Sequence, residues 1–135
     1  MDLRESIHRI HQCERVFGKR FYEHFFSVHP AARRYFRDTN MERQAVVFTM
    51  QLMVIEAFYE NGTPTAEQYL QVLGTTHQER GVPVELYGGF RDCLLEMLKE
   101  FHGEDWDERL ESEWTEALEL AIGKMAEGYE RRFHV

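Results

Sequence analysis

Apolar residues recur every three to four positions along most of the chain, which predicts helices throughout. In one stretch, Phe48, Leu52, Ile55 and Tyr59 are spaced 4, 3 and 4 residues apart, as on one face of a helix. No alternating apolar and polar run of useful length predicts a strand. Breaks in the pattern predict about seven helices, at about 2–17, from 18 to 29, and at 31–36, 41–59, 66–80, 84–102 and 107–133.

Residues with strong backbone preferences mark these helix ends. Gly18 predicts a change of direction, and Pro30 ends the second helix because the residue before a proline avoids helical geometry. The segment Asp38-Thr39-Asn40 offers side-chain oxygens that can cap the start of one helix, and Thr65 can cap another. Gly62 can adopt the left-handed conformation that ends a helix.

Composition limits the class of protein. A length of 135 residues predicts one domain, covering 1–135. The formal charge of −8 argues against nucleic acid or an anionic membrane surface as a partner. No signal peptide or long apolar run is visible, and Cys13 and Cys93 lack the spacing of a disulfide framework. These features predict a cytoplasmic chain with two reduced thiols.

The common enzyme motifs are absent from the sequence. There is no glycine-rich phosphate loop, no HExxH and no GxSxG. His8 and His11 stand three apart on a predicted helix and could reach one metal ion together. No neighbouring Cys or His completes such a site, so a surface location is the better interpretation of this pair.

The segment around His77 carries the most specific signal. The run from Leu73 to Tyr87 reads LGTTHQERGVPVELY, and it resembles the proximal-histidine segment of globins. Other globin elements follow the family order: the aromatic run FYEHFF at 21–26, then His29-Pro30 and Phe36. The pair at 94–95 and Trp114 resemble two later elements, although Glu113 stands where the family usually has alanine. The resemblance covers about 2–130 and is closest to bacterial single-domain globins and the haem domain of flavohaemoglobins.

This resemblance implies an all-α globin fold, with the helices packed three over three around a haem b pocket. It implies that His77 is the iron ligand, and a neutral imidazole on a helix suits that role. Arg80 is a candidate partner for a haem propionate. The predicted apolar walls of the slot are Phe25, Phe36, Phe48, Leu52, Leu73, Val82, Phe90 and Leu94.

The resemblance also assigns the distal side, which sets the function of a haem protein. Tyr22 falls on the distal tyrosine position of bacterial globins, and Gln44 is the best match to the distal glutamine. A shift of one residue would instead place Arg43 and Val47 there. Because Tyr22 and Gln44 can both donate hydrogen bonds to dioxygen, the pair predicts slow oxygen release. No histidine matches the distal position, so two histidine ligands on one iron are not expected.

The proximal side departs from the flavohaemoglobin pattern. Tyr87, ten residues after His77, matches the tyrosine that supports the axial histidine. The supporting glutamate's place is taken by Tyr129, with Glu127 and Glu130 only nearby in sequence. The carboxylate that favours oxygen activation in that family is therefore in doubt.

Three function classes remain at this point. The first is a haem protein that reversibly binds dioxygen, NO and CO for oxygen storage or scavenging. The second is a nitric-oxide dioxygenase, which would need a separate reductase because 135 residues leave no room for flavin and nicotinamide domains. The third is a gas-sensor module.

Overall fold

The computed structural model describes residues 1–131, and all of the regular secondary structure in that range is helical. Its α-helices are α1 (Leu3–His11), α2 (Glu14–Val28), α3 (Met41–Asn61), α4 (Pro64–Glu79), α5 (Leu86–His102) and α6 (Glu108–Arg131). Two 3-10 helices, at Pro30–Phe36 and Gly103–Asp105, join them. Residues 1–131 contain no strand, so the predicted all-α fold is confirmed. The predicted end of the last helix at Phe133 lies outside the described residues.

The helices form two layers. In one layer α3 contacts both α1 and α4, and in the other α5 contacts both α2 and α6. The layers meet mainly where α2 packs on α3 and α4 packs on α6. This is the three-over-three arrangement that the resemblance implied. Within residues 1–131, no helix combines the length and apolar character that a membrane crossing requires.

Local chemistry explains several helix ends. The Asn40 side chain accepts hydrogen bonds from the backbone N–H groups of Glu42 and Arg43, at 3.0 and 3.1 Å, and so caps α3 as predicted. Gly62 ends the same helix with a φ of 59°, a left-handed conformation that glycine adopts without steric cost. Pro30 opens the first 3-10 helix.

Three predicted boundaries were wrong. The first break lies at Gln12–Cys13, and α2 continues through Gly18 without changing direction. Gly18 is needed for packing instead, because a Cβ there would lie 2.6 Å from the Ala45 side chain on α3. The helix expected to be capped by Thr65 begins earlier, with Thr63 at the cap and Pro64 in the first turn. The start of α5 falls at Leu86, two residues after the predicted one.

A buried polar network ties the first helix to the last two. The fully buried Trp114 indole donates from Nε1 to Ser6 Oγ over 3.0 Å. Ser6 Oγ lies 2.6 Å from Nε2 of the buried His102, so the hydroxyl can donate to a neutral ring. Burial lowers the pKa of His102 to about 4, with Arg9 adding to the decrease and Asp105 partly opposing it.

This lowered pKa predicts an acid-sensitive fold. Between pH 6.5 and about 4 the unfolded chain binds a proton at residue 102 that the folded chain does not bind. The free energy of unfolding therefore falls as the pH falls through that window. We expect His102→Gln to lose less thermal stability than the wild type between pH 7 and pH 5. Thermal unfolding at both pH values measures this, with exposed His8→Gln as the control. Equal losses in wild type and His102→Gln would contradict the assignment.

Candidate functional site

A cleft of about 190 Å³ lies between the end of the α4 helix, the start of α5 and the facing parts of α2 and α3. His77 lines it from α4, Tyr87 and Phe90 from α5, Tyr22 from α2, and Gln44 from α3. Most of its other lining side chains are apolar or aromatic. The cleft therefore combines a narrow apolar slot with a few polar groups, the usual character of a small-molecule site.

Tyr22 and Gln44 act as a pair. The Gln44 side-chain amide donates from Nε2 to the Tyr22 hydroxyl oxygen over 3.0 Å. This hydrogen bond uses a lone pair of the hydroxyl oxygen and not its proton. The Tyr22 O–H proton therefore remains available for donation. Burial raises the pKa of Tyr22 to about 12, and the Gln44 hydrogen bond only partly offsets the rise. Tyr22 is therefore a neutral phenol at pH 7 and a hydrogen-bond donor.

A chain of contacts runs away from His77. His77 Nδ1 lies 2.8 Å from the Tyr87 hydroxyl, and the Tyr87 ring packs edge-on against the Tyr129 ring, with their centroids 5.9 Å apart. Tyr129 donates to the Val82 carbonyl oxygen over 2.7 Å. The Val82 N–H in turn donates to the His77 carbonyl over 3.0 Å. We call these residues, His77, Tyr87, Tyr129 and Val82, the proximal relay.

The relay leaves one ring nitrogen of His77 for the cleft. With Nδ1 paired to Tyr87, Nε2 has no hydrogen-bond partner among residues 1–131. Burial lowers the pKa of His77 to about 4, and the nearby positive charge of Arg80 contributes further. The imidazole is therefore neutral at pH 7, and an unpaired neutral imidazole nitrogen is a good ligand for a transition metal.

The turn between α4 and α5 positions this relay. Gly81 has a φ of 80°, a left-handed conformation that favours glycine. The sharp turn brings Val82 back under the end of α4, where its backbone bonds to both His77 and Tyr129. Gly81 and Val82, which follow the histidine helix, therefore hold the relay in place through the turn conformation and backbone hydrogen bonds.

The cleft brings together most of the residues that the sequence predicted for it. Those that line it are Tyr22, Phe25, Phe36, Gln44, His77, Arg80, Val82, Tyr87 and Phe90. Four predicted wall residues do not line it: Phe48, Leu52, Leu73 and Leu94. Phe48 packs behind the wall, with its ring centroid 4.6 Å from that of Phe21, while Leu52 and Leu94 lie in the core. Leu73 is partly buried against the same core.

One residue from each of the two distal alternatives, Gln44 and Val47, lines the cleft. Gln44 lines the cleft and contacts Tyr22, whereas Arg43 is exposed and borders a surface pocket with Arg15. Val47 lines the cleft together with Gln44, one helical turn further along α3. On the proximal side, Glu127 bonds instead to Gln71 and Lys124, at 3.0 Å each, and Glu130 is exposed.

Five lining residues were missed by the sequence: Tyr35, Thr39, Gln51, Thr76 and Leu86. Gln51 had a usable signal, because it follows Gln44 by seven residues and so shares its helix face. Tyr35 lies in the 3-10 helix Pro30–Phe36 and Thr39 in the loop after it, where the α-helical periodicity carries no information about facing.

Comparison with known proteins identifies the family. The globin family model matches residues 19–125, which include α3, α4, α5 and most of α2 and α6. The chain therefore belongs to the globin family, and membership implies that it binds haem.

A curated relative agrees with this assignment. The chain is 35% identical over 63 residues to Leghemoglobin-1 of Lupinus luteus. That alignment covers 46% of this chain and 41% of the leghemoglobin. The match thus spans less than half of either protein.

The residues of the cleft fit a haem in chemistry. A neutral imidazole with its other nitrogen hydrogen-bonded is the arrangement expected of an axial ligand. Aromatic rings supply flat walls, and the exposed Arg80 at the cleft supplies a cation for a carboxylate. The cleft volume of about 190 Å³ is below the ~300–1,000 Å³ of typical ligand pockets.

Proposed function

We propose that this chain is a single globin domain of the bacterial type that holds haem b through His77 and reversibly binds dioxygen, NO and CO, with oxygen storage as its role. The single observation that carries the proposal is the Tyr22–Gln44 pair, held over 3.0 Å in the same cleft as His77. Haem, when bound, supplies an iron with a coordination position open to a diatomic gas.

Each of the cleft residues would then have a separate role. His77 Nε2 would hold the iron, and the proximal relay would fix the orientation of the ring through Nδ1. Arg80 would pair with a propionate at the cleft mouth. Tyr22 would donate its O–H proton into the cleft, while Gln44 holds the phenol in place and polarises it. The walls Phe25, Phe36 and Phe90 would exclude water.

The proximal relay favours reversible binding over oxygen activation. A carboxylate at the end of such a chain makes an axial imidazole more basic, because it draws the Nδ1 proton away. Here the third member is the Tyr129 phenol, and the chain ends on the neutral carbonyl of Val82. The imidazole is therefore expected to remain neutral. Nitric-oxide dioxygenation with a separate reductase is the alternative function, and this relay gives it no support.

Replacing Tyr22 by phenylalanine tests the proposal. The substitution keeps the ring and removes the donor, so we expect oxygen to dissociate about two- to tenfold faster. One hydrogen bond contributes about 0.5–1.5 kcal/mol, and about 1.4 kcal/mol corresponds to a tenfold change. Stopped-flow displacement of oxygen by CO measures the rate.

A matched control is Tyr59→Phe, which removes a hydroxyl on α3 that donates to Glu116 outside the cleft. It should leave the rate unchanged. A Tyr22→Phe protein that binds haem and releases oxygen at the wild-type rate would refute the assigned role of Tyr22.

A further inference from the structure

A second group of metal-binding side chains lies outside the cleft, between α2 and α5. His24 projects from α2, and Cys93 and Glu96 project from α5. One nitrogen, one sulfur and one carboxylate oxygen from these residues all lie within 4.8 Å of one another. None of the three residues lines the cleft that contains His77.

The spacing of the three atoms is close to that of a zinc site. In a tetrahedral zinc site with bonds of about 2.0–2.1 Å to N and O, those two ligand atoms lie about 3.3–3.4 Å apart. The observed separation of His24 Nε2 and Glu96 Oε1 is 3.4 Å. A sulfur at ~2.3 Å from the metal would lie about 3.5 Å from each of the others. None of the observed separations exceeds 4.8 Å, so a modest rotation of exposed Glu96 and half-buried His24 closes the site.

The surroundings favour a cation. A surface groove beside His24 and Glu96 is also lined by Glu23 and Glu100, with Arg20 as its cationic residue. The Cys93 thiol is buried, while the Glu96 carboxylate is exposed. A metal ion held by these three groups would therefore face solvent on one side, where a water molecule can complete the tetrahedron.

We propose that His24, Cys93 and Glu96 form a binding site for a zinc ion. A mixed set of thiolate, imidazole and carboxylate suits zinc, which accepts all three at four-coordinate sites. Magnesium and calcium prefer oxygen ligands and would not use the thiolate. The bound ion joins α2 to α5, so zinc is expected to raise the thermal stability of the protein.

The test uses the haem-loaded, reduced protein and zinc chloride. Calorimetric titration should show one zinc ion per chain, and the melting temperature should rise with zinc concentration. X-ray absorption at the zinc edge should show one sulfur neighbour at about 2.3 Å and lighter neighbours at about 2.0–2.1 Å. The haem spectrum should not change, because the site lies outside the cleft.

Variants locate the ion. Cys93→Ser, His24→Gln and Glu96→Gln should each weaken zinc binding by about tenfold or more, since loss of even an outer partner of a ligand costs ~10–100-fold. Cys13→Ser removes the other free thiol and is the matched control. His24→Gln and Glu96→Gln alter side chains at the surface, so they remain informative if Cys93→Ser fails to fold.

Two results would overturn the proposal. One is the absence of zinc binding by the folded, haem-loaded wild type. The other is zinc bound without a sulfur neighbour and unaffected by the three variants, which would place the ion elsewhere, for example at His8 and His11. Neither result depends on gas binding, so the zinc site and the proposed haem function can fail separately.

Discussion

His77→Gly is expected to lower the affinity for haem by more than the ~10–100-fold that loss of an outer partner of a metal ligand costs. The substitution removes the imidazole whose Nε2 has no other partner among the described residues, and it leaves Tyr87 without its 2.8 Å contact. Transfer of haem to an excess of an apo-globin acceptor, followed by absorbance, measures the loss.

Two comparisons make this result specific to the iron ligand. His8→Gly carries the same helix penalty of about 1 kcal/mol at an exposed position, so it should retain haem as the wild type does. Free imidazole added to His77→Gly should occupy the vacated space and restore part of the affinity. Wild-type haem retention by His77→Gly would exclude His77 as the axial ligand.

Gly74→Ala is expected to destabilise the protein by about 2–3 kcal/mol, which corresponds to a melting temperature lower by roughly 10 °C. A Cβ at Gly74 would overlap the backbone carbonyl of Met125, at the point where α4 and α6 cross. Backbone cannot rotate away as a flexible side chain can, so the two helices must separate. Thr75 marks the same crossing, because its hydroxyl donates to the Gly128 carbonyl over 2.8 Å.

Gly123→Ala is the matched control for this prediction. It lies on α6, and a Cβ there would meet nothing within 4 Å. Alanine should therefore stabilise the helix by up to ~1 kcal/mol. Thermal unfolding of both variants in the same haem state measures the difference in their stability. Equal stability of the two variants would show that the glycine crossing does not constrain α4 and α6.

The helix ends that sequence predicted well are those set by local chemistry. Asn40 caps α3 with its own side chain, and Gly62 ends that helix with its own left-handed backbone. Gly18 was misjudged because its role depends on Ala45, which lies on another helix. Gly74 and Gly128 also have neighbours across a helix crossing that are distant in sequence.

The candidate site was also predicted well where a local motif applies and poorly where contacts between helices decide. The family motif placed His77, Tyr22 and Gln44, and the structure brings all three to one cleft. Periodicity could not separate core from cleft wall, because Phe48 and Phe90 look alike as apolar helix positions. Only Phe90 lines the cleft, while Phe48 packs behind it.

Long-range groupings were the least predictable part of the molecule. The proximal relay joins Tyr129 on α6 to Val82 in a turn, which are 47 residues apart. His24 and Glu96 are 72 residues apart and match no ligand-spacing motif. Such groupings arise from how the helices cross, and helix periodicity in a single sequence does not encode the crossings.

The most direct test of the central claim is titration of the haem-free protein with haemin, followed in the visible spectrum. If His77 holds haem, we expect an intense Soret band that saturates at one haem per chain. After reduction we expect the spectrum of an iron with one histidine ligand. We also expect CO to shift this spectrum reversibly. A folded protein that develops no Soret band with haemin would contradict haem binding by this chain.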